Sequence, residues 1–182
     1  MSQSPRVLML PGRGDSGEEH WQSIWQQEHP DFLRVRQREW NNPEREEWVD
    51  ALDAVIQAQA RPVILVAHSL AVITVAHWAA TYRAPVVGAL LVSPTDVERH
   101  DYPPGTRNFA PIPLAPLPFP SIVVASDDDP RVTPERAALF SHRWGSLLAR
   151  PGAFGHLGTA AKLGSWDYGQ RLLGQLRQLE AA

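Results

Sequence analysis

Short apolar runs alternate along this chain with longer amphipathic or polar segments, and that alternation limits the folds it can adopt. The apolar runs predict six strands, at residues 7–10, 32–35, 63–66, 86–92, 121–126 and 146–150. The segments between them predict helices at residues 18–27, 43–60, 70–82, 134–144 and 168–179. Strands that alternate with helices form βαβ units, and strands that are almost wholly apolar are covered on both faces. The sequence therefore predicts a three-layer α/β sandwich around a mostly parallel six-stranded sheet.

Length and charge narrow the classes of protein to consider. The 182 residues contain no internal repeat or linker, so residues 1–182 are expected to form a single domain. The formal net charge of −3 lacks the basic excess that binding to a nucleic-acid backbone requires. No segment approaches the roughly 18 apolar residues of a membrane span. We expect a cytoplasmic protein that binds neither nucleic acid nor membrane, and the sequence leaves its oligomeric state open.

The residue composition also excludes several kinds of functional site. The chain has no cysteine, which excludes disulfides, thiolate nucleophiles and cysteine-ligated zinc. The seven histidines include no H-E-x-x-H pair and no tight cluster, so no metal site is predicted. No organic cofactor is expected either.

A glycine-rich segment, "GRGDSG" at residues 12–17, follows the first strand and fits the G-x-G-x-x-G pattern of dinucleotide-binding turns. Three carboxylates, those of Asp15, Glu18 and Glu19, surround the predicted helix start and would repel a pyrophosphate. We therefore interpret the loop as a source of free backbone N–H groups for an anion that forms during a reaction. A nucleotide-binding oxidoreductase stays an alternative, and it would use Gly12, Gly14 and Gly17.

The stretch "VILVAHSLA", from Val63 to Ala71, places a serine between a buried strand and an apolar helix. A nucleophile at such a strand-to-helix turn needs small residues two positions before and two after it, because the turn is tight. Ala67 and Ala71 meet this requirement. An ordinary helix N-cap is the competing interpretation for a serine here. The position favours Ser69 as a nucleophile.

A serine hydroxyl is a weak nucleophile unless a histidine removes its proton and a carboxylate orients that histidine. In α/β-hydrolase order both groups follow the serine, at the carboxyl ends of later strands. After the fifth strand comes "DDDPRV", where Asp129 is the preferred acid because a proline follows it; Asp128 is second and Asp96 third. His156, between glycines in "PGAFGHLG", is the predicted base.

The remaining candidates concern the substrate pocket. Trp21 and His20, at the start of the first helix, and Phe109, in the proline-rich segment 102–120, are expected to line an aromatic, apolar pocket. Four further histidines are interpreted as packing or surface residues: His68, His77, His100 and His142. The proline-rich segment itself predicts a long extended loop, because proline is excluded from regular helices and central strands.

Four segments, "LPGRGDSGEEHW", "VAHSLAVITVAHWAA", "FAPIPLAPLPFPSIVVASDDDPRV" and "GHLG", occur in this order over nearly the whole chain. Together they resemble the small serine hydrolases related to retinoblastoma-binding protein 9 and the bacterial YdeN proteins. The resemblance implies a lid-less α/β-hydrolase fold with a Ser-Asp-His triad at Ser69, Asp129 and His156. Two positions depart from the family pattern: Ala71 replaces a glycine, and Gly158 replaces a polar residue. The retinoblastoma-binding motif requires a cysteine, so that partner is not carried over.

These expectations combine into one mechanism. Ser69 attacks a small ester, or an activated amide, and an acyl-enzyme forms, while the N–H groups of Arg13 and Leu70 bind the oxyanion. A binding protein that keeps the fold without turnover is the alternative from a different functional class.

Overall fold

A single parallel sheet organises the structure, a computed structural model that describes the backbone of residues 4–181 and the side chains of residues 4–178. Six strands pair in parallel in the order β2-β1-β3-β4-β5-β6, which confirms the predicted sheet. Their bounds are β1 Arg6–Leu10, β2 Leu33–Arg34, β3 Val63–His68, β4 Val86–Val92, β5 Ser121–Val124 and β6 Leu147–Ala149. The edge strand β2 is shorter than its apolar run suggests.

Among the described residues, four α-helices lie between strands and a fifth follows β6: α1 Trp21–Glu28, α2 Arg45–Gln57, α3 Leu70–Thr81, α4 Pro134–Trp144 and, after β6, α5 Asp167–Ala181. Helix α4 matches its predicted bounds, whereas α1 begins three residues later than predicted. The later start has a local cause, because His20 caps α1 by accepting a hydrogen bond from the N–H of Gln22 at 3.1 Å. No helix within residues 4–181 combines the length and apolar character needed to cross a bilayer.

Two apolar clusters cover the two faces of the sheet. On one face α2, α3 and α4 contribute Trp48, Trp78 and Phe140. On the other face α1 and α5 contribute Trp25 and Leu176. All six residues of β3 are buried because this central strand is covered on both sides. These layers form the expected three-layer sandwich.

The proline-rich segment belongs to the first of these clusters. It contains a short 3-10 helix, Pro104–Phe109, and otherwise runs as loop. Phe109, Ile112 and Phe119 are all buried against the helices. The segment therefore packs over the apolar core and shields it from solvent.

The strand order fixes where a site can form. The chain enters at β1, continues to β2 on one side and then crosses to β3 on the other, so the order reverses between β1 and β3. Ligands of open α/β sheets bind outside the carboxyl ends of the strands at such a point. The loops after β1, β3, β4 and β5 meet there, and they carry Gly12, Ser69, Thr95 and Asp129.

Candidate active site

Ser69 occupies a strained turn between β3 and α3. Its backbone has φ 61° and ψ −124°, a conformation that costs a non-glycine residue about 1–3 kcal/mol. Neighbouring main chain holds the turn, since the Ser69 N–H donates to the carbonyl of Val92 at 2.9 Å. Ser69 stands at the N-cap position of α3, but its hydroxyl makes no capping bond to that helix. The turn instead presents the hydroxyl above the carboxyl edge of the sheet.

His156 and Asp129 form a continuous hydrogen-bonded chain with this serine. The Nε2 atom of His156 lies 2.7 Å from Ser69 Oγ, and its Nδ1 lies 2.9 Å from both carboxylate oxygens of Asp129. A carboxylate only accepts, so Nδ1 carries the proton and Nε2 is free to accept the serine proton. The side chain of Asp129 has no solvent exposure and that of His156 is 23% exposed. The structure thus brings together the three residues that the sequence singled out.

The other acid candidates have different partners. Asp128 accepts hydrogen bonds from Ser126 and from the N–H of Gly155, and so shapes the loop that carries His156. Asp127 forms a surface ion pair with Arg150. Asp96 pairs with Arg136 at 3.2 Å. Of these carboxylates only that of Asp129 contacts the imidazole.

Thr95 is a neighbour of the serine that sequence reasoning missed. Its Oγ1 lies 2.9 Å from Ser69 Oγ, and the residue is fully buried. With the serine proton directed to His156, the Thr95 hydroxyl donates to Ser69 and holds it in one rotamer. The only signal in the sequence is its place just after β4, which it shares with several other polar residues.

Two side chains from other elements hold the main chain of the His156 loop. Trp21 donates its Nε1–H to the carbonyl of Leu157, and His68 donates its Nε2–H to the carbonyl of His156, both at 2.8 Å. Trp21 is 1% exposed and does not line the pocket, so its predicted role as a substrate-contacting residue is wrong. Its indole packs against the ring of His20 and belongs to the apolar cluster that includes residues of α1 and α5.

His20 and His68 stand beside His156 as neutral rings. Burial lowers the pKa of His20 to about 4, and burial also lowers the pKa of His68 well below its usual value. His20, as predicted, lines the pocket, and so does His68. Within residues 4–178 no three His, Asp or Glu side chains converge as metal ligands.

The glycine-rich loop supplies backbone donors next to the serine. The N–H of Gly14 is fixed to the carbonyl of Trp40 at 2.9 Å, whereas those of Arg13 and Leu70 have no acceptor among residues 4–178. An oxyanion hole needs two such free amides. The dinucleotide alternative loses support, because a Cβ on Gly17 would meet no atom within 4 Å. The third glycine therefore has no packing role.

Gly12 allows the closest approach to the nucleophile. A Cβ at this position would lie 2.8 Å from Ser69 Cβ and 3.0 Å from the carbonyl oxygen of His68. We expect Gly12→Ala to lower, about 100-fold, kcat/KM for a reaction in which Ser69 is the attacking group, because a displacement approaching 1 Å at a reacting group has about that effect. Gly17→Ala is the matched control, since its methyl meets nothing, and steady-state kinetics of the two variants provide the measurement. Equal activity of both variants would contradict this account.

The cavity beside Ser69 has a volume of about 240 Å³. Most of its lining side chains carry polar groups, among them Arg13, His20, Tyr102 and Arg131, so the cavity has aromatic rings but is not the apolar pocket that the sequence predicted. Phe109 is 0% exposed and packs edge-on against Trp48 at 5.9 Å, so its prediction as a pocket residue is wrong. The short 3-10 helix ends at this residue and turns its ring into the core.

Comparison with known proteins adds independent information. The family model described as serine hydrolase matches residues 7–175. A solved structure described as a YdeN-like hydrolase from Pectobacterium atrosepticum is 31% identical, with a TM-score of 0.88 over 98% of this chain and 93% of that one. No curated protein matches the chain significantly.

Two more distant structures share the fold. The ydeN gene product from B. subtilis is 19% identical, with a TM-score of 0.75 over 94% of this chain and 98% of that one. Est1E from Butyrivibrio proteoclasticus is 16% identical, with a TM-score of 0.71 over 97% of this chain and 90% of that one.

Proposed function

The chain belongs to the serine hydrolase family, and from this membership we propose that it hydrolyses small carboxylic esters through an acyl-enzyme on Ser69. The observation that carries the proposal is the 2.7 Å contact between His156 Nε2 and Ser69 Oγ, with Asp129 on the other ring nitrogen. A serine so placed is activated for attack on a carbonyl carbon.

The first half of the reaction forms the acyl-enzyme. As Ser69 Oγ attacks the ester carbonyl, its proton passes to His156 Nε2, and the carbonyl π electrons move onto oxygen. The imidazolium is stabilised by the buried carboxylate of Asp129. When the tetrahedral intermediate collapses, the carbon–oxygen bond to the alcohol breaks, and His156 returns the proton to the leaving alcohol.

The second half releases the acid. A water molecule gives its proton to His156 Nε2 and attacks the acyl carbon, and collapse of the second intermediate breaks the bond to Ser69 and returns the proton to Oγ. In both halves the free N–H groups of Arg13 and Leu70 would donate to the oxyanion. Losing one such donor typically costs about 2.7–4 kcal/mol of transition-state stabilisation. None of these steps calls for a metal or an organic cofactor.

The size of the cavity supports small substrates. The cavity of about 240 Å³ beside Ser69 is smaller than the range of about 300–1,000 Å³ that is usual for drug-sized ligands. Activated amides fit the same chemistry, because they too pass through a tetrahedral intermediate. The proposal accordingly covers small esters first and activated amides second.

Labelling with a fluorophosphonate tests the proposal without knowledge of the substrate. We expect one label per wild-type chain and none on Ser69→Ala, because only an activated serine attacks the phosphorus. Ser121→Ala is the matched control. This buried serine lies at the amino-terminal end of β5, whereas the site lies at the carboxyl ends of the strands, and its hydroxyl contacts that of Ser146. Intact-mass spectrometry gives the stoichiometry. A folded wild type that takes no label would overturn the hydrolase mechanism and favour a binding protein on a hydrolase fold.

A further inference from the structure

Two guanidinium groups line the cavity without a carboxylate partner. Among residues 4–178 neither Arg13 nor Arg131 has an Asp or Glu oxygen within 4.0 Å. Arg13 donates one hydrogen bond, from its Nε–H to the carbonyl of Asn41 at 2.8 Å. The guanidinium of Arg131 lies 5.7 Å from the ring centroid of Tyr102, which is another lining residue. Most of the hydrogen-bond donors of both groups remain available.

The one acidic residue among the described lining residues is already neutralised. The carboxylate of Asp15 accepts from Arg34 at 2.8 Å and from the N–H of Ser16 at 2.7 Å. It therefore does not cancel the charge of the two arginines. No aliphatic side chain lines the cavity within the described part of the chain. The cavity is positively charged and polar.

A buried donor in the same wall also lacks a partner. His20 is 4% exposed, and its Nδ1 accepts from the N–H of Gln22, which leaves the proton of the neutral ring on Nε2. That Nε2 has no hydrogen-bond partner among the described residues. It lies 4.0 Å from the position that a Cβ on Gly158 would take, and both residues line the cavity. Buried donors in native proteins are normally satisfied, so this group is an exception beside the cavity.

We infer that the cavity selects small esters that carry a carboxylate group, with Arg131 and Arg13 binding the carboxylate. This inference rests on the proposed hydrolase function and specifies its substrate class. Guanidinium groups match the planar geometry of a carboxylate and bind it through paired, charge-assisted hydrogen bonds.

Two matched ester pairs test the inference. In the first pair the charge is on the acyl side: mono-4-nitrophenyl adipate against its neutral methyl ester. In the second it is on the alcohol side: 4-acetoxybenzoate against its neutral methyl ester. The quantity compared is the charged-to-neutral ratio of kcat/KM within a pair, and comparing this ratio between variants cancels differences in intrinsic reactivity.

We expect the ratio for at least one pair to fall about tenfold in Arg131→Gln, the size of effect typical of a lost charge-assisted hydrogen bond. Arg177→Gln is the control, since it removes one exposed positive charge from α5, where Arg177 packs over Phe32 at 5.5 Å. Arg131 is tested in preference to Arg13 because the main chain of Arg13 belongs to the proposed oxyanion hole. In the wild type, raising the ionic strength from about 0.05 to about 0.5 M should also lower the ratio, because salt screens the attraction.

Calorimetric binding of the same esters to Ser69→Ala separates recognition from turnover. Tighter binding of a charged ester, weakened when Arg131→Gln is added, supports the inference. Equal binding within both pairs, or a ratio that Arg131→Gln leaves unchanged, overturns it. Selective binding of the charged ester combined with no hydrolysis by the wild type would overturn the proposed function and leave the substrate class supported.

Discussion

Replacing His156 by alanine is expected to lower kcat by about 10⁶-fold for the best ester substrate, which is the scale of loss when the base of a serine hydrolase is removed. Ser69 Oγ has two hydrogen-bond partners among the described residues, His156 Nε2 at 2.7 Å and Thr95 Oγ1 at 2.9 Å. A threonine hydroxyl is not basic enough to take the proton. Among the described residues, the imidazole is therefore the one base in place to activate the serine.

The double variant Ser69→Ala/His156→Ala gives the sharper test. Groups that act as one unit are strongly non-additive, so we expect the double variant to be no less active than either single variant. His142→Ala controls for the loss of an imidazole, because His142 is an exposed residue of α4, and it should retain kcat within about twofold. Steady-state kinetics and thermal unfolding of each variant provide the measurements. Activity of His156→Ala above about one hundredth of wild type would point to a different base.

Asp129→Asn should lower kcat by about 10⁴-fold while leaving the fold intact. The carboxylate is fully buried and accepts the Nδ1–H of His156 with both oxygens at 2.9 Å. An amide in its place presents an N–H₂ group to Nδ1 and favours the tautomer with the proton on Nε2, where the ring can no longer accept from Ser69. The loss comes from the wrong tautomer, so the affinity for substrate should change far less than kcat.

Asp127→Asn is the matched control because it makes the same chemical change two residues away. Asp127 pairs with Arg150 at the surface, and exposed ion pairs of this kind contribute about 0–1 kcal/mol to stability. We expect its kcat to stay within about twofold of wild type. The rate of fluorophosphonate labelling gives a second readout, which should fall in Asp129→Asn alone. Similar losses in the two variants would mean that Asp129 acts through the structure of the loop.

The three residues at the centre of the site could be predicted from sequence because each carries a local signal. Ser69 sits between a strand and a helix, Asp129 follows a strand and precedes a proline, and His156 lies between glycines. The parallel pairing and the layers likewise follow from the alternation of apolar strands with amphipathic helices, whereas the strand order was not predicted.

The residues around that centre could not be predicted, because their roles depend on contacts far apart in the chain. Thr95 and Ser69, whose hydroxyls are in contact, are 26 residues apart in the chain. Trp21 and Leu157, which share a hydrogen bond, are 136 residues apart. Phe109 was misplaced because hydrophobicity alone does not separate a core ring from a pocket ring. The polar character of the cavity depends on Arg13 and Arg131, whose charges resemble ordinary surface charges when only the sequence is read.

His68 directly precedes Ser69 in the chain, and its side chain donates a hydrogen bond to the carbonyl of His156. The main chain of His156 is therefore linked to Ser69 through His68. The imidazole of His156 is thus connected to the nucleophile twice, once through its own Nε2 and once through its main chain. In the proposed mechanism, acylation would remove the first connection, since the serine oxygen would then have no proton to donate. The second connection does not involve the reacting atoms, so it would hold the base within reach of the acyl carbon while water replaces the alcohol. The contact that positions His156 in the resting site would then also serve the proposed deacylation.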